Sequence, residues 1–259
     1  MIASIDQAPV IDVLGVQVHV VEISDALNCM ESWLVDDVQV CRYVVATGMH
    51  GVMQAQKDPE FMDVVNSADM FVADGISLVW LARTKGYQVK KRVSGADLMA
   101  AFLPLAEEKG YNVFFYGDTD ETLKALRERL SEDHPNLKIA GTYSPPFRTL
   151  TPDEDAEEVR MINDSGANVV WVGLGLPKQE RWMAAHRDQL NAQVMVGVGA
   201  AFKFASGQVR RAPSWIGDNG FEWLWRFVQE PRRVWRRVFI DLPQFTWLVT
   251  LELFKLKKH

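Results

Sequence analysis

The stretch NVVWVGLGLPKQE, Asn168 to Glu180, decides the fold class. After Asn168 comes an unbroken β-branched and aromatic run, Val169 to Val172, ending in Gly173, the pattern of a strand buried on both faces. Gly173 and Gly175 then turn the chain, Pro177 takes the first helical position, and Lys178 and Gln179 fall in the first turn of a helix. A doubly buried strand running into a helix belongs to a parallel sheet covered by helices.

Outward from this stretch the same rhythm recurs. Tyr43 to Thr47, Met70 to Ala73, Asn112 to Gly117 and Gln193 to Val198 are further short apolar runs, each followed by a turn residue and a helical pattern. Helix starts are marked by Asp58-Pro59 before FMDVV, by Asp118 with Glu121 before LKAL, and by Thr151-Pro152 with Glu154. Near the N-terminus, IDVLGVQVHV alternates around Gly15 and predicts a small hairpin. The expected fold is an α/β domain with a mainly parallel sheet.

The chain has 259 residues, 48% hydrophobic and 24% charged, enough apolar surface for a real core and too much for a disordered tail. Cys29 and Cys41 lie twelve apart with no CxxC spacing and no histidine nearby, which excludes a disulfide framework or zinc site and predicts reduced, packed thiols. The net charge of -6 argues against a general nucleic-acid binder. That average hides an asymmetry. Residues 232 to 259 carry Arg232, Arg233, Arg236, Arg237, Lys255, Lys257 and Lys258 against Asp241 and Glu252, a net +5, which leaves -11 on residues 1 to 231.

Five of the nine tryptophans, Trp215, Trp223, Trp225, Trp235 and Trp247, also fall in the last 45 residues. The strand-helix rhythm stops near Arg210, so the chain divides into an α/β domain, residues 1 to 211, and an aromatic and basic C-terminal appendage, residues 212 to 259. Paired arginines beside Trp235 and Trp247 fit a segment lying in an anionic membrane interface, and a terminal helix packed on its own domain is the alternative. On the interfacial reading the domain is expected to stay folded without the appendage. The apolar stretch Val238 to Phe254 is broken by Asp241, Pro243, Gln244 and Glu252 and is too short and polar to span a bilayer. With no targeting peptide at Met1 to Pro9, the chain is expected in the cytoplasm.

Open parallel sheets bind ligands at the carboxyl ends of their strands, which selects the residues directly after each run. In GLGLPKQE, turn N–H groups, a helix dipole and Lys178 suit a phosphate, although an ordinary strand-to-helix turn explains the same residues. Gly199, after the last run, stands at the same edge. Asp74 follows MFVA and is placed either as a general base or as a helix cap. His50, after Tyr43 to Thr47, can donate to a substrate oxygen or simply pack in a loop. Asp118-Thr119-Asp120 has the form of a metal-holding DxD, but a capping box with Glu121 explains it without a metal. No cofactor and no metal site are expected.

The order of these residues resembles the WecG/TagA/CpsF family of bacterial glycosyltransferases. The matching blocks are ADGISLVW (Ala73 to Trp80), RVSGADL (Arg92 to Leu98), GLGLPKQE (Gly173 to Glu180), GVGAAFKFASGQVRRAP (Gly197 to Pro213) and FEWLWRFVQEPRR (Phe221 to Arg233), within about residues 10 to 255. The resemblance implies a Rossmann-like domain of the GT-E type with a C-terminal appendage that meets a lipid substrate at the membrane. It implies inverting transfer of a sugar from a UDP-sugar donor to a polyprenyl-diphosphate-linked sugar acceptor, in surface polysaccharide assembly on the inner face of the cytoplasmic membrane. By the same resemblance Asp74 is the base, and Thr47, Arg92 and Gln179 match the family's site residues.

Two positions depart from the family pattern. Met49 stands where Asn is common, leaving His50 or a different donor sugar to compensate, and Lys203 stands where Asp is frequent. Both bear on which sugar is used. A non-catalytic nucleotide-binding regulatory module with the same α/β core is the alternative function, and a homo-oligomer is left open. The absence of GxGxxG after an early strand argues against a nicotinamide enzyme.

Overall fold

Each apolar run becomes a strand because it can bury both faces only between two layers of helices. The computed structural model describes residues 4–36, 38, 40–209 and 235–256, except the side chains of Arg237, Lys255 and Leu256. Strands β1 (Val10–Val13) and β2 (Val16–His19) form the expected hairpin. They are followed by β3 (Arg42–Thr47), β4 (Met70–Ala73), β5 (Asn112–Gly117), β6 (Lys138–Tyr143), β7 (Val169–Gly173) and β8 (Val194–Gly197). The sheet order is β1-β2-β4-β3-β8-β7-β5-β6, antiparallel only between β1 and β2.

The helices are α1 (Ile23–Leu34), α2 (Met49–Lys57), α3 (Pro59–Asn66), α4 (Ile76–Thr84), α5 (Gly95–Lys109), α6 (Asp120–Asp133), α7 (Pro152–Asp164), α8 (Lys178–His186) and α9 (Ala201–Ala205). A π-helical turn, Arg237–Asp241, then leads into α10 (Leu242–Leu256). The core divides cleanly by sheet face. Tyr43, Val45, Val170 and Val172 pack with α2, α3, α4, α7, α8 and α10. The alternate residues Val44, Ala46, Val169 and Trp171 pack with α1, α5, α6 and α9. This alternation is the period of two expected of a strand covered on both sides.

The helix after β3 lies on one face and the helix after the neighbouring β8 lies on the other. Connections that leave adjacent strands toward opposite faces open a crevice at their carboxyl ends, the switch point where ligands enter such sheets.

Local signals held in most places. Asp58 caps α3 through Phe61 N–H with Pro59 behind it, and Thr151 and Glu154 form the capping box of α7. The start of α6 differs: its cap is Thr119, accepting from Thr122 N–H, while Asp118 takes a left-handed conformation with φ 59°. Glu121 is therefore not part of a capping box. Pro177 is the cap residue of α8 and not its first helical residue. Cys29 and Cys41 are free and buried, and burial pushes their thiols up to about 11 and about 12.

The appendage departs further from expectation. Phe245 and Val249 of α10 are buried in the core, and Glu252 accepts from Leu14 N–H at 3.2 Å. On this side α10 packs on the domain, as in the alternative of a terminal helix laid on its own core. The proposed boundary at 211/212, the block Phe221 to Arg233, and Arg232 and Arg233 lie outside the described residues, as does the Arg237 side chain. Among the described residues no helix is long and apolar enough to cross a membrane.

Candidate active site

The residues at the switch point come from four adjacent strand ends. Thr47 ends β3 and is buried against α2, where Gly51 makes room for it: a Cβ at Gly51 would lie 2.3 Å from Thr47 Cγ2. Asp74 follows β4, and its N–H donates to Thr47 O at 3.1 Å, which extends the β3–β4 pairing by one bond. The cap position of α4 is Gly75, which has no side chain to cap with. Asp74 stands one residue earlier, with its side chain 38% exposed. Asp74 is thus a carboxylate at the end of β4, and Gly75 holds the cap position.

Arg92 reaches the same place from the segment before α5. Val93 N–H donates to Ala73 O at 2.9 Å, so the segment runs along the end of β4. The Arg92 guanidinium donates to Asp74 O at 3.2 Å and stands 3.9 Å from its carboxylate. A cation and an acid are thus fixed together, one main-chain hydrogen bond from Thr47.

The other half of the switch point is made by the turns after β7 and β8. Gln179, in the first turn of α8, is only 3% exposed, and its Oε1 accepts from Gly199 N–H at 2.9 Å and Gly175 N–H at 3.2 Å. Its Nε2 donates to Glu180 Oε1 at 2.8 Å. The Gly175 N–H, one of the turn donors expected to suit a phosphate, is thus already held by Gln179. Glu180 is 0% exposed, with its Oε1 against the Gln179 amide. Burial pushes its carboxyl up to about 7, against the lowering effect of the Gln179 hydrogen bond. Gly173 ends β7, and Lys178 opens α8, where its charge and the helix N-terminus reinforce one another.

His50 has a different partner from the one expected. It lies in the first turn of α2, and its Nδ1 is 3.1 Å from Asp241 Oδ2 in the π-helical turn. Lys57, two turns along the same helix, donates to Asp241 Oδ1 at 2.8 Å. Burial pushes the Asp241 carboxyl up, but the hydrogen bonds from Lys57 and His50 together outweigh it and hold the group below its ordinary value. His50 therefore joins the appendage to α2, whose first residue is two past Thr47. Sequence reasoning missed Asp241 and Lys57. The available signal was an acid within the apolar stretch Val238 to Phe254, read only as an interruption.

The Asp118-Thr119-Asp120 segment is occupied by its own turn. Asp118 accepts from Thr119 N–H at 2.9 Å, donates its N–H to Gly173 O at 3.2 Å, and lies 3.7 Å from Lys203 Nζ. Among the described residues no group of three or more His, Cys, Asp and Glu is placed to hold a metal ion.

On the outside of the appendage, Trp247 and Phe254 are each 64% exposed, on the side of α10 opposite Phe245, with Leu251 beside them. Trp235 and Phe239, before and within the π-helical turn, are exposed as well, and so is Arg236.

Comparison with known proteins bears on this arrangement as a whole. Residues 11–259 match the model of the "Glycosyl transferase WecG/TagA/CpsF family". A protein of Bacillus subtilis (strain 168) named N-acetylglucosaminyldiphosphoundecaprenol N-acetyl-beta-D-mannosaminyltransferase is 32% identical over 201 residues, 76% of this chain and 75% of the relative. Proteins of the same name from Bacillus spizizenii (31% over 228 residues, 88% and 86%) and Staphylococcus aureus strain MW2 (26% over 248 residues, 96% and 95%) are also similar.

Proposed function

Since the chain belongs to the WecG/TagA/CpsF glycosyl transferase family, and is a glycosyltransferase, we propose that it moves a sugar from a UDP-sugar to a polyprenyl-diphosphate-linked sugar, with inversion, on a membrane surface. The single observation that carries this reading is Asp74, a carboxylate at the switch point, one residue outside the cap position of α4 and fixed beside Arg92.

In the proposed reaction the acceptor hydroxyl oxygen attacks the anomeric carbon from the face opposite the nucleotide, and Asp74 takes the hydroxyl proton. The bond from the anomeric carbon to the diphosphate oxygen breaks, its electron pair leaving with UDP through an oxocarbenium-like transition state. Arg92, and Lys178 at the start of α8, are the protein's own cations for the charge that develops on the diphosphate, so the proposal needs no metal. Asp74 on β4 and the Gly173 to Gly175 turn after β7 are three strand spacings apart, about 14 Å, so a donor with its anomeric carbon beside Asp74 and Arg92 would extend its nucleotide along the edge toward that turn.

The relatives' names specify an N-acetylglucosaminyl-diphosphoundecaprenol acceptor and an N-acetylmannosaminyl group transferred. A donor of the UDP-hexose or UDP-N-acetylhexosamine class is proposed here. Met49 and Lys203, which depart from the family pattern at this edge, bear on the choice within that class. The membrane part of the proposal is supported by the outward stripe of Trp235, Phe239, Trp247, Leu251 and Phe254, which is too short to span a bilayer and of the right chemistry to lie on one. The proposed location is the inner face of the cytoplasmic membrane.

The test is a panel of UDP-sugars against short-chain polyprenyl-diphosphate-sugar acceptors, read by mass spectrometry. One donor and acceptor pair should gain the mass of a single sugar. No product with any donor, from a protein shown to bind UDP by calorimetry, overturns the reaction.

A further inference from the structure

We propose that Glu180 is a positioning residue of the transfer site: it anchors the NH2 end of the Gln179 amide, and through it holds the spacing of the two glycine turns that receive the nucleotide donor. This rests on the reading of the switch point as a UDP-sugar site.

The argument starts from the symmetry of an amide. The two ends of a glutamine side chain are nearly equal in size but opposite in chemistry, so packing alone does not choose which end faces where. Gln179 Oε1 faces two donors, the N–H groups of Gly175 and Gly199. Reversed, the side chain would set an NH2 against two N–H groups and leave all of them unpaired in a buried place. What faces the other end adds to that choice. There stands Glu180 Oε1, which accepts from Gln179 Nε2 and would face a carbonyl oxygen if the amide turned over.

Glu180 is costly where it is. It is 0% exposed, its Oε2 is buried with no hydrogen-bond partner among the described residues, and its carboxyl is hydrogen-bonded by the Gln179 amide and its own N–H. Burying a carboxyl so poorly satisfied disfavours folding, and an apolar side chain of the same length would fill the space at lower cost. The one thing such a replacement would not do is receive the Gln179 NH2.

Small errors at Gln179 have nowhere to go. A Cβ at Gly197, the end of β8, would lie 2.9 Å from Gln179 Nε2, so the amide is pressed against the strand itself. The glycine turns it joins follow β7 and β8, neighbouring strands whose ends floor the switch point. Turning the amide releases Gly175 and Gly199 from a common acceptor and lets the two turns separate, which weakens donor binding more than the chemical step.

The experiment uses the full chain, with UDP binding by calorimetry, steady-state kinetics and thermal melting on Glu180→Met, Glu180→Gln, Gln179→Met and the Glu180→Met/Gln179→Met double variant. Glu180→Met should weaken UDP binding and raise donor KM about tenfold, with kcat changed less than about threefold. Glu180→Gln, whose carbonyl can still accept from Gln179, should recover most of that loss. In the Gln179→Met background Glu180→Met should add nothing, because the group it acts through is gone. Additive losses in the double variant, or wild-type UDP affinity in Glu180→Met, overturn the proposal. Should Glu180→Met fail to fold, Gln179→Met decides: a UDP loss of about tenfold supports the link, and wild-type affinity overturns it. A wild-type chain that binds no UDP fails the donor reading itself, an outcome distinct from a wild type that binds UDP and variants that match it.

Discussion

Asp74 precedes the cap position of α4, so Asp74→Asn removes the proposed base while leaving Gly75 at the helix start. The expected result is a loss of turnover of a hundredfold or more on a confirmed donor and acceptor pair, with an unchanged melting temperature. Turnover near that of the wild type would show that the proton leaves by another route. Glu180 gives a pH prediction of definite sign. Its folded carboxyl, at about 7, lies above its ordinary 4.5, so between those values the folded chain holds a proton that the unfolded chain has released. The contribution is fully present below pH 4.5 and is lost as pH rises through 7, in total about 3 kcal/mol. Relative to Glu180→Gln, which does not titrate, the wild type should therefore lose stability over that interval in denaturant titrations. A gap constant with pH would mean that the carboxyl ionises normally. At this scale the sequence makes Asp74 legible as a strand-end residue and Gln179 as one in the first turn of the following helix. It could not show that Gln179 spends its oxygen on two main-chain N–H groups.

The helices show what a single element can do on two sides. α10 buries Phe245 and Val249 against the domain and exposes Trp247 and Phe254 to the outside. Phe245→Ala should cost about 3–5 kcal/mol, because it empties a filled site in the core. The Asp241 node works differently, through charge. Its partners Lys57 and His50 are half and one-third exposed, which screens the attraction, so Asp241→Asn should cost only about 1–2 kcal/mol. Adding Lys57→Met to that variant should cost less than Lys57→Met alone, measured by urea unfolding, and full additivity would show that the pair does not interact. β6 is the element that the sequence reading passed over. KIAGTY is only partly buried along its length at the sheet edge, so it lacks the continuous apolar run that marks β3 or β7. The cap of α6 was misplaced by one residue because Asp and Thr are both good caps, and only the left-handed backbone at Asp118 separates them.

For the whole molecule, the outward aromatics and the basic residues of the appendage make one prediction together. The full chain should bind vesicles of anionic lipid more weakly as salt rises, since screening shortens the reach of the basic groups. Trp247→Ser with Phe254→Ser should weaken that binding at least tenfold and impair transfer to a lipid-linked acceptor, while UDP binding and the melting temperature stay as in the wild type. Vesicle binding unchanged in this double variant would place the membrane contact elsewhere. Deletion of the tail is a poorer test, since removing Phe245 and Val249 opens the core.

The sequence by itself determined the α/β class, five of the six strands that pair in parallel beyond the hairpin, the hairpin and most helix starts, because runs of β-branched residues, caps and prolines act locally. The site edge was legible for the same reason: strand ends are local features, and topology sends ligands there. Tertiary structure alone decided the order of the strands, and with it that Thr47, Asp74, Gly175 and Gly199 share one edge. It also decided that His50 faces Asp241 across 191 residues, and that the tail is core on one side and exposed on the other. These are pairings between distant segments, set by which surfaces bury one another, and no spacing along the chain encodes them.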